Sequence, residues 1–209
     1  MPEYKILILD DHPAVREGLK VILSSLAGVK CTLCETVEQL VNMLSHNIHH
    51  DLYVLDIEFP KSDIFPVLEM INKQVGNSKI LIYSMHDDSY MLSHLDLYKI
   101  HGYVSKNEST ETLLTAVRKI REGSEAFSET FLKVRDKSNK GSSAAKDDIV
   151  ITDREKQVLY YLSNGCTTQE IAEKLHISYF TAKSHRNHLA KKLKAKNTIE
   201  IILKSKKYM

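Results

Sequence analysis

Residues 53–60 read Tyr-Val-Leu-Asp-Ile-Glu-Phe-Pro. An apolar run meets an acidic residue, Asp56, and Pro60 shuts the segment four residues later. The pattern predicts a short buried strand that delivers a carboxylate to the edge of a sheet. In an open α/β sheet, that edge is where ligands and chemistry sit.

The surrounding chain repeats the pattern. Residues 5–9, Lys-Ile-Leu-Ile-Leu, are too short for a helix and read as a strand buried on both faces, with Asp10 and Asp11 at its end. Pro13 suits a first helical turn, and Val15, Leu19, Ile22 and Leu26 recur at helical spacing. Strands are predicted at 29–35, 52–56, 79–84 and 102–105, and helices at 36–45, 63–74 and 88–98. A last helix, capped by Ser109, carries Leu113, Leu114, Val117 and Ile120 and stops at Gly123. Alternation of this kind predicts a five-stranded, doubly wound parallel sheet. Right-handed crossovers then bring every strand's C-terminal end to one rim. The sequence places Asp10 and Asp11, Asp56, Ser84 and Lys106 there.

Clustered carboxylates repel one another and invite a hard divalent cation with oxygen ligands, Mg²⁺ most simply, or Mn²⁺. Asp10, Asp11 and Asp56 would hold it. Asp56 suits a nucleophile that accepts a phosphoryl group, with Lys106 and Ser84 for the phosphoryl oxygens.

Composition sets the outer bounds. The chain has 209 residues, 43% apolar and 27% charged, ordinary for a soluble protein. No apolar run reaches the about 18 residues of a membrane span, and the start lacks a signal-peptide stretch, so a cytoplasmic protein is expected. Cys31 and Cys34 are spaced as C-x-x-C but lie in an alternating strand-like segment, so they read as strand residues rather than a metal or redox pair. Residues 1–130 carry 12 Lys/Arg against 19 Asp/Glu, and residues 131–209 carry 17 against 8. An acidic front and a basic back predict two domains, the second directed at nucleic acid.

The basic half reads as four helices. Thr152-Asp-Arg-Glu155 and Thr167-Thr-Gln-Glu170 are capping boxes, and Gly165 stops the first helix. A short helix ends near Leu175, His176 and Ile177 make a turn, and Ser178 caps a longer helix to about Leu193. That is a helix-turn-helix. On the longer helix Ala182, Leu189 and Leu193 share a core side, with His185 at its edge. Lys183, Ser184 and Asn187 form a donor-rich face sized for a major groove, with Lys191 beyond them. Thr168, Ser178, Thr181, Arg186 and His188 are candidates for phosphate contacts. Tyr179 and Phe180 either touch DNA sugars or close the turn. The fourth helix carries Ile199, Ile202 and Leu203, for a two-fold contact or for packing inside the monomer.

The front half resembles the receiver domain of bacterial two-component systems, on Asp10-Asp11, Asp56, Ser84, Tyr103 and Lys106. The back half resembles the LuxR-type helix-turn-helix, on Thr152–Glu155, Gly165, Glu170-Ile-Ala172, Leu175, Ile177-Ser178, Thr181–His185 and Lys192-Leu193. Together they are similar to response regulators of the NarL/FixJ type. The resemblance implies a flavodoxin-like receiver at 1–125, a linker at 126–148 and an all-α DNA-binding domain at 149–209. It implies that a histidine kinase donates a phosphoryl group to Asp56, that the Glu58 backbone carbonyl completes the metal site, and that Ser84 and Tyr103 couple phosphorylation to a surface shift. It also implies a homodimer on double-stranded promoter DNA, with no membrane partner and no turnover of an external substrate.

Ala182 stands where the LuxR-type pattern usually has valine, and three positions depart from the receiver pattern. Ile64 stands for a glycine, Asn107 for a proline, and Glu58 adds an acidic side chain. In the linker, 126–135 suits a short helix and 136–148 a flexible tether. An aspartyl-phosphate phosphatase would need a D-x-D-x-[TV] motif that Asp10-Asp11-His12 and Asp56-Ile57-Glu58 do not supply. A DNA-binding regulator using its receiver only to dimerise is the other alternative.

Overall fold

A computed structural model describes residues 3–59, 64–74, 76, 78–85, 89–140 and 149–208. Pro60, the aspartate at 63, and residues 141–148 of the expected tether lie outside the described residues. The chain divides into two compact units, Met1–His86 with Tyr98–Ser128, and Asp87–Leu97 with Glu129–Met209.

In chain order the elements of the first half are β1 (Tyr4–Leu9), α1 (Pro13–Ser24), β2 (Val29–Cys34), α2 (Val37–Ser45), β3 (Leu52–Leu55), α3 (Phe65–Gln74), β4 (Lys79–Ser84), α4 (Ser89–Leu95), β5 (Gly102–Ser105), α5 (Thr110–Arg121) and β6 (Ala126–Phe127). All but α4 belong to the first unit. The strands form one parallel sheet in the order β2-β1-β3-β4-β5-β6. Ile6, Ile8, Val54, Leu81 and Val104 join Leu19 and Leu23 of α1 and Leu113, Val117 and Ile120 of α5 in one core. The alternate strand residues Leu7, Leu9, Tyr53, Leu55 and Ile82 are buried as well. Coverage on both faces explains why the strands read as continuous apolar runs.

The helix starts follow local chemistry. Thr36 accepts from the Gln39 N–H and Ser109 from the Thr112 N–H, each at 3.2 Å. The Gln39 side chain reaches back to the Glu35 N–H at 2.8 Å rather than to Thr36. Cys31 and Cys34 are free thiols on β2, three residues apart and therefore on opposite faces. This geometry excludes a C-x-x-C centre.

The sheet has six strands where five were expected, and the sixth falls in the stretch read as linker and short helix. Gly102 pairs with Ala126 and Tyr103 with Phe127. The Ala126 N–H donates to the His101 carbonyl at 2.9 Å, and the Ser128 N–H to the Tyr103 carbonyl at 3.2 Å. Without β6, the outer edge of β5 would present these carbonyls unpaired. Glycine at 102 permits the approach: a Cβ there would lie 2.7 Å from the Ala126 carbonyl oxygen and 2.8 Å from Leu81 Cδ1.

In the second unit the helices are α4 with α6 (Glu129–Lys140), α7 (Asp153–Ser163), α8 (Thr168–Lys174), α9 (Tyr179–Lys192) and α10 (Thr198–Ser205), closed by a 3₁₀ turn at Lys206–Tyr208. Residues 136–140, expected in the tether, continue α6. Both capping boxes are present in full, at Thr152/Glu155 and Thr167/Glu170. Gly165 takes a left-handed φ of 78° after α7, and His176 takes φ 50° in the turn between α8 and α9. Glu155 is buried and its carboxylate meets Lys192 Nζ at 2.7 Å, tying the start of α7 to the end of α9. The His94 ring of α4 stacks on Tyr160 of α7 at 4.4 Å between centroids and meets Tyr161 edge-on at 5.7 Å. No helix of the described residues is long and apolar enough to cross a membrane.

Candidate functional sites

The first site is built at the strand ends of the parallel sheet. Parallel register sets Leu9 beside Leu55 and Leu55 beside Ile82, so the next residues, Asp10 and Asp56, emerge together. Ser84 pairs with Ser105, which puts Lys106 at the same rim. Asp10 is 1% exposed and Asp56 2% exposed. Lys106 Nζ bridges them, at 2.7 Å from Asp10 Oδ2 and 2.5 Å from Asp56 Oδ2. The other oxygen of Asp56 accepts from the Ile57 N–H at 2.7 Å.

Burial pushes the Asp56 carboxyl up from its ordinary value; the Lys106 ammonium offsets part of this, and Asp10 adds to it. Burial pulls the Lys106 ammonium down, but its hydrogen bonds to Asp10 and Asp56 prevail and hold it above its ordinary value. One charged lysine between two buried carboxylates keeps all three groups in place.

Asp10, Asp11, His12 and Asp56 each offer one ligand atom within 4.8 Å of the others. Strand-end position marks the three carboxylates but not His12. The backbone turn at Asp10 brings it in: the His12 N–H donates to Asp10 Oδ1 at 2.8 Å, and its Nδ1 lies 2.8 Å from Asp11 Oδ1. Three carboxylates fit a hard cation, and the lysine charge now sits between two of them.

Ser84 and Tyr103 are both buried. Tyr103 also lines a cavity of about 320 Å³ with Phe127, Thr112 and Ala116. The Glu58 side chain is exposed, and its N–H donates to Asp56 Oδ1 at 3.3 Å. Ile64, which stands where a glycine was expected, is buried, and its carbonyl accepts from the Val67 and Leu68 N–H groups at the start of α3.

The second site is the outer face of α9. Ala182 and Leu189 are buried with Leu193, as the spacing predicted. Lys183, Ser184, Asn187, His188 and Lys191 are exposed. Ser178 caps the helix by accepting from the Thr181 N–H at 3.1 Å, and the two hydroxyls share a hydrogen bond at 2.8 Å. Lys183 Nζ lies over the Tyr179 ring, 5.9 Å from its centroid.

Two residues expected at phosphates are turned inward. Thr168 is buried, and Arg186 donates from one nitrogen to Thr168 Oγ1 at 2.9 Å and from the other to Thr198 Oγ1 at 2.7 Å. Arg186 thus braces α8, α9 and α10 together, a tie no sequence spacing announces. On α10, Ile201 packs inward while Ile199 and Leu203 are exposed.

Residues 6–118 match the family of response regulator receiver domains, and residues 150–205 match the bacterial regulatory proteins of the luxR family. Over most of its length the chain is similar to the transcriptional regulatory protein MctR of Rhizobium johnstonii, 27% identical over 96% of this chain and 92% of that one. It is similar to the oxygen regulatory protein NreC of Staphylococcus epidermidis, 29% identical over 95% and 94%. It is also similar to the Fimbriae Z protein of Escherichia coli, 28% identical over 100% and 99%. Its fold resembles that of RcsB from Salmonella enterica serovar Typhimurium, solved on promoter rprA with the phosphomimetic BeF3−, at a TM-score of 0.72 and 24% identity over 97% of this chain and 98% of that one.

Proposed function

We propose a function for a chain that belongs to the response regulators, joining a receiver domain to a LuxR-type helix-turn-helix: it is a transcription regulator whose DNA binding is gated by phosphorylation of Asp56. The observation that carries this reading is the Asp10–Lys106–Asp56 bridge, a buried acidic pair held around one lysine at a sheet rim. The receiver is proposed to span residues 1–125 and the DNA-binding module 149–209.

A histidine kinase is the proposed donor. An Asp56 carboxylate oxygen attacks the phosphorus, a new O–P bond forms, and the bond to the donor histidine nitrogen breaks. Lys106 exchanges its hydrogen bond to Asp56 for one to a phosphoryl oxygen, and Ser84 donates to another. Asp10, Asp11 and Asp56, with the Glu58 carbonyl, would hold Mg²⁺ or Mn²⁺, which supplies positive charge for the incoming phosphoryl oxygens. The receiver acts on itself alone, so the protein turns over no external substrate.

RcsB has been solved as dimers on DNA and on promoters with a phosphomimetic, which supports promoter DNA as the partner and a homodimer on it. Ile199 and Leu203, exposed and one turn apart on α10, suit the two-fold contact. Lys183, Ser184 and Asn187 read base edges, while Ser178, Thr181 and His188 lie at phosphates. A cytoplasmic location follows from a DNA target.

Acetyl phosphate with Mg²⁺ tests the acceptor directly. One phosphoryl group per chain is expected by intact mass, and none on an Asp56→Asn variant. Equal modification of both chains would remove Asp56 from its role.

A further inference from the structure

Phe180 stands outside the division of α9 into a core side and a donor side. It is 79% exposed, more than any other large apolar side chain among the described residues. It is the second residue of α9. At about 100° per residue it falls in line with Ser184, Asn187 and Lys191, all exposed, so an aromatic ring heads the donor stripe. Its neighbour Tyr179 lies a quarter-turn round the helix, edge-on to Phe180 at 5.9 Å and beneath the Lys183 ammonium. Tyr179 therefore positions Lys183, and Phe180 faces forward.

The occupant of this face is set by charge. From Tyr179 to Lys192, α9 contains no acidic residue and carries Lys183, Arg186, Lys191 and Lys192. A second copy of so basic a helix would be repelled, whereas a DNA duplex is attracted. The first residues of a recognition helix meet base edges, and the apolar group a base edge offers in the major groove is the thymine C5-methyl. We propose that Phe180 is a specificity-determining residue that covers a thymine methyl beside the bases met by Lys183 and Ser184. The proposal rests on α9 being the recognition helix.

The test uses the full chain with acetyl phosphate and Mg²⁺, on a duplex that the wild type selects from a random library. Each thymine is replaced in turn by deoxyuridine, which lacks only the methyl. One thymine per half-site is expected to cost the wild type roughly fourfold in affinity, the value of about one buried methylene. Phe180→Ala is expected to bind the two duplexes equally, and Phe180→Leu to keep part of the difference. If Phe180→Ala still discriminates thymine from deoxyuridine as the wild type does, or if no thymine responds, the proposal is overturned. It is equally overturned if Phe180→Ala changes only the oligomeric state in sedimentation, which would make a second copy the occupant. If the wild type selects no sequence, the recognition-helix reading itself fails and the proposal falls with it.

Discussion

Arg186 shows how the same residue type reads differently in a sequence and in a fold. An arginine on a basic helix suggests a phosphate contact, yet both terminal nitrogens of Arg186 donate to threonine hydroxyls on α8 and α10. Each such bond contributes a net of about 0.5–1.5 kcal/mol. Arg186→Ala is therefore expected to lower stability by about 1–3 kcal/mol in urea unfolding. The slope of log affinity against log salt should stay unchanged, because no phosphate contact is lost. A slope reduced by about one, with stability intact, would return Arg186 to the phosphates. Asp10, Asp56 and Lys106 were legible because each directly follows a strand, and parallel register carries such ends to one rim. Arg186 and His12 were not, since their partners are chosen by helix crossing and by a backbone turn. Neither has a spacing.

At the scale of elements, legibility followed pattern length. Strands built on runs of four apolar residues, and the capping boxes at Thr152/Glu155 and Thr167/Glu170, stand where their patterns place them. β6, at two residues, is too short to have a period, and is held by the open edge of β5 and the absent Cβ of Gly102. The end of α6 lacks the large apolar residues that mark a helix, so it read as tether.

α4 has a consequence for pH. His94 is fully buried against Tyr160 and Tyr161, and burial pulls its pKa down from 6.5 to about 3. Above pH 6.5 neither the folded nor the unfolded chain holds a proton there, and the group is neutral to stability. Below 6.5 the unfolded chain takes up a proton that the fold refuses, so stability falls as pH falls, until about pH 3. The slope approaches about 1.4 kcal/mol per pH unit, or about 2 kcal/mol between pH 7 and pH 5. His94→Phe keeps the stack without the titration and should lack that portion. Urea midpoints for both chains at the two pH values check this; an equal loss in both would place the proton elsewhere.

Across the whole molecule, charge and chemistry are divided between the two ends of the sequence. Residues 1–130 carry a net −7 and hold the acidic rim; residues 131–209 carry a net +9 and hold the donor face of α9. Composition alone carries that division. Gating of the α9 face by the acidic rim is read out by promoter binding with and without the phosphoryl group. Genomic fragments bound by the full chain are selected at one fixed salt concentration, and affinities for the selected site are then compared. The phosphorylated protein is expected to bind about tenfold tighter than the unmodified one, within the usual range for coupled sites. The Asp56→Asn chain treated with the same donor should bind like the unmodified protein. Equal affinity and the same selected sequence for all three would mean that the phosphoryl group on Asp56 does not gate DNA binding.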